Sequence, residues 1–91
     1  MTALPDVTFS EEGDILYVTL SDSSISTTRA FGDERLVDFD SSGQVVGAEF
    51  IGVSDSIDLR GLPETVRIRN AIETRGTFGF KVLIDPIEVH D

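Results

Sequence analysis

From Val7 to Val53 apolar residues recur at every second position in short runs, and each run ends in a cluster of turn-forming residues. That pattern confines the chain to an antiparallel sheet, because a side chain repeats on one face of a strand every two residues and on a helix every 3.6. Val7 and Phe9 alternate with Thr8 and Ser10 before the turn Glu11-Glu12-Gly13-Asp14. Residues 15–20 (ILYVTL) follow as a strand of β-branched and aromatic types, with Leu16, Val18 and Leu20 on one face and Ile15 and Tyr17 on the other. Residues 25–31 form a third, more polar strand after a serine-rich turn, and Gly32-Asp33-Glu34-Arg35 turns the chain into a fourth over residues 36–40. Ser41-Ser42-Gly43-Gln44 leads into the longest run, residues 45–53. Five short strands joined by tight turns predict an antiparallel β-meander. Val18, Leu20, Val37, Phe39, Val46 and Phe50 are its expected core.

The period changes after residue 60. Pro63 suits a first helical position and Glu64 a first turn, while Arg75 followed by Gly76 reads as a stop. Ile68, Ala71 and Ile72 stand at helical spacing between these signals. Val66, Ile68 and Ile72 also fall on alternate positions, which keeps a strand reading open, but the caps favour one helix over residues 63–75 packed on the sheet. Residues 78–84 then read as a final strand. The fold class is therefore α+β, in a single small domain with frayed tails at residues 1–6 and 86–91.

Charge is the second strong constraint. The 91 residues hold 17 acids against 7 bases, a net charge of −10. Residues 1–59 carry twelve acids and two arginines, whereas residues 60–91 are neutral, so the sheet carries the whole field. A phosphate backbone would be repelled, which excludes nucleic acid. No apolar run is long enough for a membrane span or a signal-peptide core, and the absence of cysteine suits a reducing cytoplasm. A chain of this length buries only roughly 60–65% of its unfolded surface, so a thin core and exposed strand edges favour a homodimer.

Residues 13–20 (GDILYVTL) resemble the opening strand of the bacterial domain-of-unknown-function family 2283, and residues 36–50 (LVDFDSSGQVVGAEF) are similar to its central hairpin. The resemblance covers about residues 9–53, with Ser10 standing where members commonly carry aspartate. It implies no activity, cofactor or catalytic residue, and associates some members with toxin–antitoxin neighbourhoods.

Few residues offer chemistry. Asp38, Asp40, Ser42, Gly43, Val45 and Glu49 fit positions of the twelve-residue EF-hand calcium loop, with Asp38, Asp40, Ser42 and Glu49 as ligands. An EF-hand loop joins helices, however, and here β-type alternation runs into the loop from both sides, so a plain hairpin turn is expected. Glu11-Glu12 and Asp33-Glu34 fall on turn tips, where water keeps carboxylates ordinary. His90 is the only histidine and stands next to the C-terminus, where nothing would orient it for catalysis. Arg67 and Arg69 have Glu64 and Glu73 at helical spacing and form a solvated face. With no cofactor loop and no nucleophile constellation, the sequence points to a non-enzymatic interaction module. Its partner would be a basic protein met through Glu11, Glu12, Asp33 and Glu34. The alternative is a small-ligand or calcium-binding domain built on residues 38–49.

Overall fold

The computed structural model describes residues 4–75 and 79–86. Strands β1 (Asp6–Ser10), β2 (Ile15–Thr19), β3 (Thr27–Ala30), β4 (Arg35–Phe39) and β5 (Val45–Ile51) form one antiparallel sheet in the order β1-β2-β5-β4-β3. A two-residue β6 (Ile57–Asp58), the helix α1 (Thr65–Arg75) and a two-residue β7 (Val82–Leu83) are the remaining elements of the described residues. The sheet, the single helix and the closing strand are as the sequence predicts. The meander itself runs β3-β4-β5, and β5 then pairs with β2, so the first hairpin joins the far side of β5. β5 takes the centre because its glycine and alanine let neighbours approach from both sides while its valines and Phe50 fill the core.

Register decides which residues are buried. Leu16 lies opposite Phe50, and Ala48 lies between Val18 and Val37, so these five share the face that packs beneath α1. The helix contributes Ile68, Ala71 and Ile72 to that layer and lies against β1 and β2. Arg67 reaches back to the carbonyl of Leu20. Phe39 does not join the deep core. It is only half-buried, because α1 covers the β1–β2 side and leaves the end of β4 partly open. A β-bulge between Asp38 and Phe39 breaks the alternation on β5, and Val45 and Val46 are both buried as a result.

Other sequence expectations move by a few residues. The helix begins at Thr65, not Pro63, because Leu59 and Leu62 sink into the core and the chain turns once more before it can coil. Glu64 therefore stands outside the first turn at φ 58°, and its carbonyl accepts the N–H of Ile68. The ion pairs Arg67–Glu64 and Arg69–Glu73 form as their spacing predicts. Asp6, expected in a frayed tail, pairs with Thr19 as the first residue of β1. The last strand is shorter than expected and runs parallel to β6, a pairing too short to leave any periodicity in the sequence. Phe80 beside it packs edge-on against Phe9, with ring centres 5.1 Å apart. Residue 78 and His90 lie outside the described residues. No helix among the described residues is long and apolar enough to cross a membrane.

Candidate partner-binding site

Antiparallel pairing sends β1, β3 and β5 in one direction and β2 and β4 in the other. The turn at residues 11–14, the turn at 31–34 and the loop at 52–55 consequently meet at one end of the sheet. Glu11, Glu12, Asp33 and Glu34 are thereby brought to the same end, joined there by Asp55, and all five are exposed. None of these five carboxylates forms an ion pair with another described residue.

Hydrogen bonds tie the three loops together. Asp14, at φ 53°, accepts the N–H of Gly52 at 2.9 Å and of Val53 at 3.3 Å on its carbonyl. Its carboxylate accepts the Ser54 N–H at 3.0 Å and the Ser54 hydroxyl at 2.6 Å. The Glu34 carbonyl accepts the N–H of Ile51 at 2.9 Å. Gly52 suits its φ of 75°, a left-handed conformation that side-chain-bearing residues rarely adopt, and the end of the Glu34 side chain rests over it. The acids at this end are thus carried on cross-linked turns.

Beside them opens a cleft of about 400 Å3, floored by Phe31, Phe50 and Ile51 and rimmed by Asp33, Glu34, Asp55 and Asp58. Arg35 stands on its wall. Its Nε donates to the Phe31 carbonyl at 3.0 Å, and its Nη1 donates to the carbonyls of Asp58, at 3.2 Å, and of Arg60. The guanidinium fastens β4 to the loop after β6. Asp58 also receives the Arg60 guanidinium at 2.9 Å, and this bond holds its carboxyl below the usual range while raising Arg60. A cationic group entering the cleft would meet the carboxylates of Asp33, Glu34 and Asp55, while Asp58 is already paired with Arg60 and Arg35, which line the cleft as well.

At the opposite end, Asp38, Asp40 and Ser42, the candidate ligands of a calcium loop, are engaged in hydrogen bonds within the sheet and its turn. Asp40 Oδ1 accepts the N–H groups of Ser42 at 2.9 Å and Gln44 at 3.0 Å and the Ser42 hydroxyl at 2.6 Å. The Ser42 hydroxyl is the chief reason that the Asp40 carboxyl lies below its ordinary value. Asp38 instead takes the Tyr17 hydroxyl at 2.6 Å on Oδ2 and the Thr28 hydroxyl on Oδ1. Glu49 lies along β5 between Tyr17 and Leu36. Asp40 and Ser42 face each other across the turn while Asp38 and Glu49 flank Tyr17, and no cluster of three or more acidic or histidine side chains placed for a metal ion is found among the described residues.

The match to known families covers this same sheet: a family model described as a protein of unknown function, DUF2283, matches residues 6–54. The chain belongs to the DUF2283 family. No match was found among curated proteins or among solved structures. The DUF2283 segment spans the five-stranded sheet and the turns at 11–14 and 31–34, and stops at residue 54, before Asp55, β6, α1 and β7. Arg35, Asp14 and Tyr17 lie within that segment, and sequence reasoning assigns none of them these roles. For Tyr17 a signal was present. Gly47 sits in mid-strand, where glycine marks the close passage of another group, and a Cβ there would lie 2.5 Å from the Tyr17 hydroxyl. Arg35 and Asp14 left no comparable trace, since both act across contacts distant in sequence.

Proposed function

We propose that this DUF2283 chain is a non-enzymatic interaction module that engages a basic protein through the acidic end of its sheet, in the manner of a small antitoxin meeting its toxin. One observation carries the reading: five exposed carboxylates from three cross-linked loops, none of them ion-paired among the described residues, stand together at one end beside a cleft rimmed by Asp33, Glu34 and Asp55. Cross-linked turns fix the charges before encounter, which lowers the ordering cost of association. A concentrated negative field also raises the encounter rate with a cationic partner by about 10-fold or more at low salt.

The test is capture of a basic protein from the native lysate at low salt, followed by surface-binding kinetics on the recovered protein. The variant Glu11→Gln/Glu12→Gln/Asp33→Asn/Glu34→Gln should lower the association rate about 10-fold and change the dissociation rate much less. Screening above roughly 0.15 M salt should erase most of the difference between variant and wild type. An unchanged association rate in the variant would remove the acidic end from the binding mechanism.

A further inference from the structure

The two edges of the sheet are unequal. β1 follows directly on Pro5 and opens with Asp6, a missing donor and a charge, and has α1 packed against it. Such features discourage strand addition. β3 has neither a proline nor a covering helix: all four residues are exposed, its one charge is Arg29, and β4 is its only strand neighbour among the described residues. The Phe31 N–H donates to the Arg35 carbonyl, so by antiparallel alternation Arg29 and Phe31 bond inward while Thr28 and Ala30 direct their N–H and C=O groups outward. Residues 23–32 contain Arg29 and not one acid, in a chain of net charge −10. This is the stretch that another strongly acidic molecule of the same kind can approach without like-charge contact.

We propose that a second copy of this chain pairs along β3, antiparallel and centred on Thr28, to join two sheets into one. Three registers suit the outward groups, and side chains choose among them. Centring on Arg29 would set the two arginines face to face, which is unfavourable. Centring on Ala30 would push the pairing into the turn at Gly32. Centring on Thr28 sets Arg29 opposite the second copy's Thr27 and the exposed Ile25 opposite its Phe31. It sets Ala30 opposite its Ser26, whose N–H is already given to the Phe39 carbonyl, so that only the Ser26 carbonyl is left to accept. It also supplies a counter-charge. Thr27 and the chain's own Arg29 line a shallow groove with Phe39, Asp40 and Ser41, and Arg29 stands on the same sheet face as Thr27 and Phe39 without pairing to Asp40. Strands lie about 4.8 Å apart, so an arginine opposite Thr27 can span the one strand that separates it from the Asp40 carboxylate. In the single chain Arg29 rests over the Phe31 ring at 5.3 Å and has no ion pair with any described residue. The inference stands independently of the acidic end, which lies beyond the strand's far turn.

Sedimentation velocity on the full chain, combined with amide hydrogen exchange, tests it. A concentration-dependent dimer should appear, and the amides of Thr28 and Ala30 should exchange more slowly as it forms. Arg29→Glu should raise the dimer dissociation constant about 10-fold or more, a change of about 1.4 kcal/mol per decade, while the urea midpoint of the dilute monomer stays where it was. Thr28→Pro, which removes the central donor from an edge position that tolerates proline, should weaken the dimer likewise, while also lowering the monomer midpoint through loss of the Thr28 hydroxyl's bond to Asp38. A monomer at all concentrations overturns the proposal, as does a dimer indifferent to Arg29→Glu. Protection that appears at Asp6–Ser10 instead of at Thr28 and Ala30 assigns the interface to the other edge and overturns it equally.

Discussion

Tyr17 is the only tyrosine in the chain and there is no tryptophan, so the ultraviolet signal of tyrosinate reports one phenol alone. Partial burial raises its pKa most, and the bond it donates to Asp38 raises it further. The folded state therefore holds this proton more tightly than the unfolded state does. Its contribution to stability is complete below the ordinary phenol value of about 10 and is lost as pH climbs above it. Native protein should show no tyrosinate at pH values where the urea-unfolded chain is already ionised. Asp38→Asn should bring the folded titration down toward the ordinary value, and an unshifted curve in that variant would show that burial acts without Asp38. Gly47→Ala belongs to the same contact, since its new methyl would meet both the Tyr17 hydroxyl and the Val18 carbonyl oxygen at 2.5 Å. The carbonyl is backbone and cannot step aside. A loss of about 1–3 kcal/mol is expected by urea denaturation, together with a downward shift of the Tyr17 titration.

Among the elements, β5 holds the rest together, and Phe50 is its largest buried side chain. It faces Leu16 on β2 and Arg35 on β4, and also floors the cleft at the acidic end. Phe50→Ala should cost about 3–5 kcal/mol, a large share of the 5–15 kcal/mol typical of such a domain. A loss below about 1 kcal/mol would mean that the cavity closes fully, against the close packing of cores. The strands were legible in the sequence because alternation and turn residues are local signals. So was the helix, through Ile68, Ala71, Ile72 and Arg75. What stayed hidden depended on contacts between distant segments. The pairing of β5 with β2 follows from which edges meet, and no local pattern records it. The bulge that buries both Val45 and Val46 breaks the very alternation used to read strands. The start of α1 moved because burying Leu62 outweighed the fit of Pro63 to a first helical position. The candidate site divides the same way: Glu11, Glu12, Asp33 and Glu34 could be named from their turns, but their convergence and the Asp14 clamp required the topology.

For the molecule as a whole, the question is whether the acidic end serves the fold or burdens it. The radius of gyration is 13.1 Å, while the screening length is about 30 Å at 0.01 M salt and about 8 Å at 0.15 M. At low salt every acid on the sheet senses every other, whereas near physiological salt repulsion survives only between neighbours on the same loops. Glu11, Glu12, Asp33 and Glu34 make no ion pairs with described residues, and their side chains enter none of the hydrogen bonds that cross-link the turns. They therefore bring self-repulsion without a compensating contact. Two results should follow from chemical denaturation in urea, whose neutrality leaves the ionic strength free to vary. The wild-type midpoint should rise between 0.01 and about 0.15 M salt as repulsion is screened. The fourfold neutral variant should start higher at low salt and rise less, since most of what salt removes is already gone. At physiological salt the two should differ by no more than about 0.5 kcal/mol per site, as expected of surface positions. A variant less stable than wild type at every salt concentration would give these acids a structural duty, and a weakened interaction in that variant could then be laid to the fold. A variant as stable as wild type, or more so, that still associates slowly isolates the field itself as what the partner reads.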